Sequence, residues 1–131
     1  MKIKILFFIF TSALFLSCNG QNAQNQKTVA AQEFQKEIAN TEKPQLIDVR
    51  TPEEFESEHL VNATNINWTG TTFEADAQKL DKTKPVYVYC RSGGRSKKAC
   101  SKLAELGFTN IIELDGGFLQ WSAEGLKSNK N

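Results

Sequence analysis

The sequence predicts an α/β fold, a single domain with a sheet of about five mainly parallel strands flanked by helices on both faces. Three observations lead there. The chain has 131 residues, about one domain's worth, and its 40% hydrophobic and 24% charged content is that of a globular protein. Short apolar runs alternate along it with amphipathic stretches, the pattern of β–α units whose sheet is covered on both sides. One of those runs, "PVYVY", is almost continuously apolar and rich in β-favouring residues, as suits a buried parallel strand.

The elements follow in order. "AAQEFQKEIAN" sets Ala31, Phe34 and Ile38 at helical spacing, "QLIDV" is a short strand, and "PEEFESE" is a brief helix begun by Pro52 and early acids. "ATNIN" is a weak strand, "TFEADAQKL" a helix and "PVYVY" the buried strand. "SKKACSKLAELGF" places Ala99, Leu103 and Leu106 on one helix face, with Cys100 and Ala104 adjoining and Gly107 as the stop. "TNIIEL" is the last strand, and "GGFLQWSAEGL" a glycine turn into a short helix. This domain spans residues 28–127, and residues 128–131 are a polar tail.

The N-terminus has a different character. Lys2 and Lys4 precede an uncharged apolar run from Ile5 to Leu16, then Ser17 and Cys18. The run is too short to cross a bilayer comfortably and has basic flanks, which predicts an export signal over residues 1–17. "FLSC" resembles the lipid-accepting site of bacterial lipoproteins, which implies acylation of Cys18 and a membrane anchor facing the periplasm in the cell envelope. "NGQNAQNQK", residues 19–27, is uniformly polar, so residues 18–27 form the attachment point and a flexible tether.

Composition also excludes. A formal charge of +1 indicates no nucleic-acid footprint, and removal of Lys2 and Lys4 from the 16 basic residues leaves −1 against 15 acids. Three cysteines with no CxxC spacing and one histidine do not make a metal site, and no cofactor is expected.

Chemistry concentrates in "CRSGGRS", residues 90–96. Cys90 follows a buried strand and precedes a helix, so it lies at a carboxyl end of the sheet, where open α/β folds bind ligands. Gly93 and Gly94 allow backbone angles that turn successive N–H groups inward as an anion nest. A helix beginning near Ser96 adds its positive end, and Arg91 and Arg95 add full charges. Five basic residues and no acid lie between Cys90 and Ala104. All of this favours a Cys90 thiolate and an anionic partner, with Arg91, Ser92, Gly93, Gly94, Arg95 and Ser96 forming the binding loop.

Here the chain resembles the single-domain rhodaneses, which are sulfurtransferases. "LIDVRTPEEFESEHLVNATNIN" is similar to the family's first signature, "CRSGGRS" to its active-site loop and "LAELGFTNIIELDGGFLQW" to its C-terminal signature, covering residues 46–121 in family order. Glu58 and Asn62 stand where the family commonly has glycine, departures that bear on packing and turn shape. The resemblance implies a persulfide on Cys90, a small anionic donor such as thiosulfate, and a thiol or cyanide-like acceptor or a protein persulfide partner. Two other classes share a thiolate under an amide nest. A cysteine phosphatase or arsenate reductase has one residue more between its cysteine and arginine, and a noncatalytic or redox module would use the same nest to bind anions only.

Other chemistry-bearing residues receive structural roles. Cys100 is expected in the core rather than as a resolving thiol. Asp48, Arg50 and Glu54 are expected to tie strand to helix as an ion pair or helix cap rather than to line a substrate mouth. His59 is expected in a turn or in packing, and Trp68 and Trp121 in the core or its rim. Lys97 and Lys98 are equally consistent with anion steering and with a solvated helix face.

Overall fold

The computed structural model describes residues 24–130. Its sheet has five strands, all parallel, in the spatial order β1 (Asn25–Val29), β6 (Asn110–Leu114), β5 (Val86–Tyr89), β2 (Gln45–Asp48) and β4 (Thr64–Asn65). Between them run α1 (Ala31–Ala39), α2 (Pro52–Ser57), α3 (Phe73–Ala77), α4 (Gly94–Glu105) and α5 (Gly117–Ala123). A separate antiparallel ribbon pairs β3 (Glu58–Leu60) with β7 (Ser128–Lys130). The expected α/β architecture is therefore present, with helices on both faces.

Strand periodicity divides the core. Along β5, Val86, Val88 and the following Cys90 join Ala99, Cys100 and Leu103 of α4 and Phe73 and Ala77 of α3. Tyr87 and Tyr89 point the other way, to Phe34 of α1 and Trp121 of α5. Phe34 meets the Tyr87 and Trp121 rings edge to face, and Trp68 meets Phe73 in the same way. Both tryptophans thus pack as expected.

Helix α4 starts at Gly94, two residues before the expected start near Ser96, because Gly93 at φ 121° turns the chain directly into the helix. At its other end Gly107, at φ 99°, and Phe108 donate to the carbonyls of Ala104 and Leu103, closing the last turn. Leu106 caps the helix at the border of the core, whereas Leu103 is fully buried. Leu103→Ala should accordingly destabilise the domain by about 3 kcal/mol in urea unfolding, through lost burial and the cavity left behind.

Both expected chain-end boundaries shift. Residues 25–27, assigned to the tether, lie in β1, and residues 128–130, assigned to a polar tail, lie in β7. Their polarity concealed this, since an exposed edge strand is held by backbone hydrogen bonds and needs no apolar side chains. Gln24 also donates to the Ala104 carbonyl at 2.6 Å. The expected signal, Cys18 and the earlier part of the tether lie outside the described residues.

Candidate active site

Cys90 ends the central strand of the sheet, where its side chain continues the inward face of Val86 and Val88 and is only 1% exposed. The loop folds back over the sulfur. Gly93 N–H donates to Cys90 Sγ at 3.1 Å, and Ser96 Oγ, in the first turn of α4, lies 3.4 Å from it. Burial raises the thiol's proton affinity, but the Ser96 hydroxyl and the amides of Ser96, Gly93 and Ser92 outweigh it, so the Cys90 pKa falls below the ordinary thiol value. Cys100 behaves oppositely. Fully buried and near the charge of Glu113, its thiol is pushed up to about 12, which makes it a packing residue, as expected.

The two loop glycines are not equivalent. Gly93 needs its positive φ, whereas Gly94 has no such angle and a side chain there would meet open space. The expectation that both supply forbidden backbone angles is corrected to Gly93 alone.

The loop is fixed from outside by α5. Gly116 and Gly117, at φ 71° and 58°, turn the chain so that Phe118 N–H donates to the Cys90 carbonyl at 2.8 Å and Leu119 N–H to the Arg91 carbonyl at 3.0 Å. A Cβ on Gly117 would lie 2.6 Å from backbone atoms of both Cys90 and Arg91. The second glycine of "LDGG" is therefore a contact surface for the loop that carries the thiol.

The two arginines have separate fates. Arg95 makes a bidentate pair with Glu54, at 2.6 and 3.0 Å, instead of offering its charge freely to an anion. Glu54 also closes a capping box with Thr51 at the start of α2, so this one carboxylate joins two helix starts. The Arg95 hydrogen bond holds the Glu54 carboxyl near 2 against the opposing effect of burial. Because the folded value is depressed, this stabilisation is complete above the unfolded value of 4.5 and fades as pH falls toward about 2. Arg91 is exposed and has no acidic partner among the described residues. It borders a cleft of about 310 Å³ lined also by Arg50, Glu54, Ser57, Glu58, Phe118 and Leu119.

Beneath that cleft Arg50 is buried in a forked pair with Asp48, with contacts of 2.6 to 3.0 Å, and donates to the Glu58 carbonyl at 2.6 Å. Its guanidinium also lies 4.5 Å from the Phe118 ring centroid. The expected strand-to-helix tie is thus made twice, by Asp48–Arg50 and by the Glu54 cap, and both Arg50 and Glu54 also border the cleft. His59 stacks on Phe55 with its Nδ1 2.8 Å from the Phe55 carbonyl, a packing role. Asn62 adopts the left-handed conformation, at φ 66°, which asparagine tolerates where glycine is commoner.

The expected loop therefore assembles around Cys90, with Ser92, Gly93 and Ser96 supplying donors, Arg91 at the cleft and Arg95 turned to Glu54. Ser96 differs from expectation in lying buried against the sulfur rather than facing a ligand. Glu113, Phe118 and Leu119 were not anticipated as site residues. The signal for Glu113 was present: a charged residue inside the apolar run "NIIEL". It is 3% exposed and receives hydrogen bonds from Ser96 and Thr28.

A strand-end cysteine whose sulfur meets an amide and a hydroxyl, in a loop leading directly into a helix, is an arrangement on an α/β sheet that favours ionisation of the thiol. Residues 30–124 match the family model described as rhodanese-like domain, and the chain belongs to that family. It is 36% identical over 124 residues to the uncharacterised protein YqhL of Bacillus subtilis, covering 95% of this chain and 94% of that protein. It is also 36% identical over 86 residues to the thiosulfate sulfurtransferase GlpE of Coxiella burnetii, covering 66% of this chain and 78% of GlpE. Among solved structures, a rhodanese-like domain protein from Staphylococcus aureus superposes with a TM-score of 0.67 at 28% identity, over 77% of this chain and 96% of that one.

Proposed function

We propose that this protein is a thiosulfate-type sulfurtransferase that carries sulfane sulfur as a Cys90 persulfide. The observation that carries the proposal is the placement of Cys90 Sγ beneath the Gly93 amide and Ser96 hydroxyl, in a loop that lowers its pKa without histidine or acid. The thiolate attacks the outer sulfur of thiosulfate. The S–S bond of thiosulfate breaks with its electron pair passing to the inner, oxygen-bearing sulfur, which leaves as sulfite, and Cys90–S–S⁻ remains, so three negative charges precede and follow the step. Amides around the terminal sulfur stabilise its charge until a thiol or cyanide-like acceptor, or a protein persulfide partner, exchanges with it. Sulfite is a good leaving group and needs no general acid.

The Arg95–Glu54 pair favours this chemistry over phosphate or arsenate chemistry. A phosphatase loop uses its arginine to fork a tetrahedral anion, and here that fork is filled by a carboxylate from α2. Arg91 is then the cation that captures the donor. Arg91→Ala should raise KM for thiosulfate about tenfold with little change in kcat, in steady-state assays at low ionic strength. An aryl-phosphate assay of the unmodified enzyme tests the rival chemistry, which predicts phosphatase turnover without sulfur transfer.

For location, the basic start, apolar run and Ser17–Cys18 support export and lipid anchoring in the cell envelope. Detergent partitioning of native protein, with mass analysis of its N-terminus, tests this. A fully soluble protein without an acyl group would leave export alone.

A further inference from the structure

Glu113 lies next to Val88 in the register of β6 on β5, on the sheet face that carries Cys90. Ser96 Oγ stands between the two ends, 2.6 Å from Glu113 Oε2 and 3.4 Å from Cys90 Sγ, and all three residues are at most 3% exposed. Two links therefore run through one hydroxyl that has a single hydrogen. The Gly93 carbonyl, at 3.2 Å, is the weaker competitor for that hydrogen against a carboxylate at 2.6 Å. With Glu113 ionised, Ser96 donates to it and turns a lone pair toward the sulfur, so the second link is made by the Cys90 S–H. The other arrangement with both links filled places the proton on Glu113 Oε2, with Ser96 donating to the thiolate. Removing one more proton leaves two anions facing one hydroxyl hydrogen in a site closed to water.

We propose that Cys90 and Glu113 share one proton through Ser96, so that the thiolate forms when the Cys90 proton passes along the hydroxyl to Glu113 Oε2 rather than to solvent. Sulfur loses a proton, Ser96 accepts it and releases its own, and Glu113 gains one; the pair's charge stays at one negative unit throughout. The proposal rests on the reading of Cys90 as sulfur carrier and makes Glu113 a positioning residue for it. The surroundings suit a single shared charge. From β1, Thr28 donates to Glu113 Oε1 at 2.9 Å. From α4, Lys97 Nζ approaches Oε1 at 3.3 Å, Cys100 stays a neutral thiol, and Arg95 is engaged by Glu54. Oε2 is left to Ser96.

Coupled groups lose their protons in two macroscopic steps. Iodoacetamide alkylation of Cys90 in the full chain, followed site by site with peptide mass spectrometry from about pH 5 to about pH 10, reads the thiolate without any sulfur donor. The rate should rise in two steps separated by a plateau. In Glu113→Gln the upper step should vanish and full reactivity should be reached about one pH unit or more lower, because the second anion is gone. Ser96→Ala, which keeps both ends but removes the connection, should also lose the plateau and supplies the comparison if Glu113→Gln does not fold. A single step in the unmodified protein, or two steps persisting in Glu113→Gln, overturns the proposal. Thiosulfate turnover by the unmodified protein judges the sulfur-carrier reading separately, so either idea can fail alone.

Discussion

Cys90→Ser is expected to lose thiosulfate turnover by about four orders of magnitude or more while the domain stays folded. A serine hydroxyl at that position has neither the acidity nor the polarisability of a thiol, residues 90–96 hold no histidine or carboxylate, and the Glu113 carboxylate reaches it only through Ser96. His59, the sole histidine, is committed to the Phe55 ring and carbonyl. The smaller hydroxyl still has the Gly93 amide and Ser96 beside it, so its burial is satisfied and thermal unfolding should move little. Cys100→Ser is the matched control, because Cys100 is a buried thiol pushed up to about 12 and should leave most turnover intact. The cyanide-coupled thiosulfate assay, run beside thermal unfolding of both variants, checks the contrast.

Gly117→Ala is expected to disable the same loop from outside. Its φ of 58° is a left-handed angle, costing alanine about 1 to 2 kcal/mol. The added methyl would lie 2.6 Å from the Arg91 carbonyl group and from the Cys90 carbonyl oxygen, backbone atoms that have no rotamer by which to withdraw. Overpacking of this kind adds about 1 to 3 kcal/mol. Relief requires the loop to move away from α5, breaking the bonds from Phe118 and Leu119 N–H to the Cys90 and Arg91 carbonyls. Displacing a reacting atom by about 1 Å costs on the order of 100-fold in rate. We therefore expect about 2 to 5 kcal/mol in urea unfolding and a roughly 100-fold loss of kcat in folded protein. Gly94→Ala, at the start of α4, meets open space and should show neither effect.

The contrast between these two glycines marks how far the sequence could be read. "PVYVY" followed by "CRSGGR" placed the thiol at a sheet end because a buried strand and a helix each leave a periodic apolar trace. Helix α4 was legible for the same reason, through Ala99 and Leu103 with Cys100 adjoining, although Leu106, expected on the same face, lies only partly buried at the border of the core. Its start was not, since two adjacent glycines look alike until φ distinguishes Gly93 from Gly94. Strands β1 and β7 left no apolar trace because their cohesion is in the backbone: "NQKTV" is mostly exposed, and it pairs with β6 all the same. The Arg95–Glu54 pair was hidden by 41 residues of separation, and only the fold sets the start of α2 against the start of α4. Glu113 was visible but unassigned, because a strand containing one acid gives no indication of which helix hydroxyl will meet it.

The central claim is that Cys90 holds the transferred sulfur. Intact-mass analysis of the purified protein after thiosulfate exposure and removal of excess donor tests it most directly. The account predicts one added sulfur atom, mapped to the peptide bearing Cys90, removed by cyanide and absent from Cys90→Ser. An unmodified mass, or an added sulfur that persists in Cys90→Ser, would contradict it.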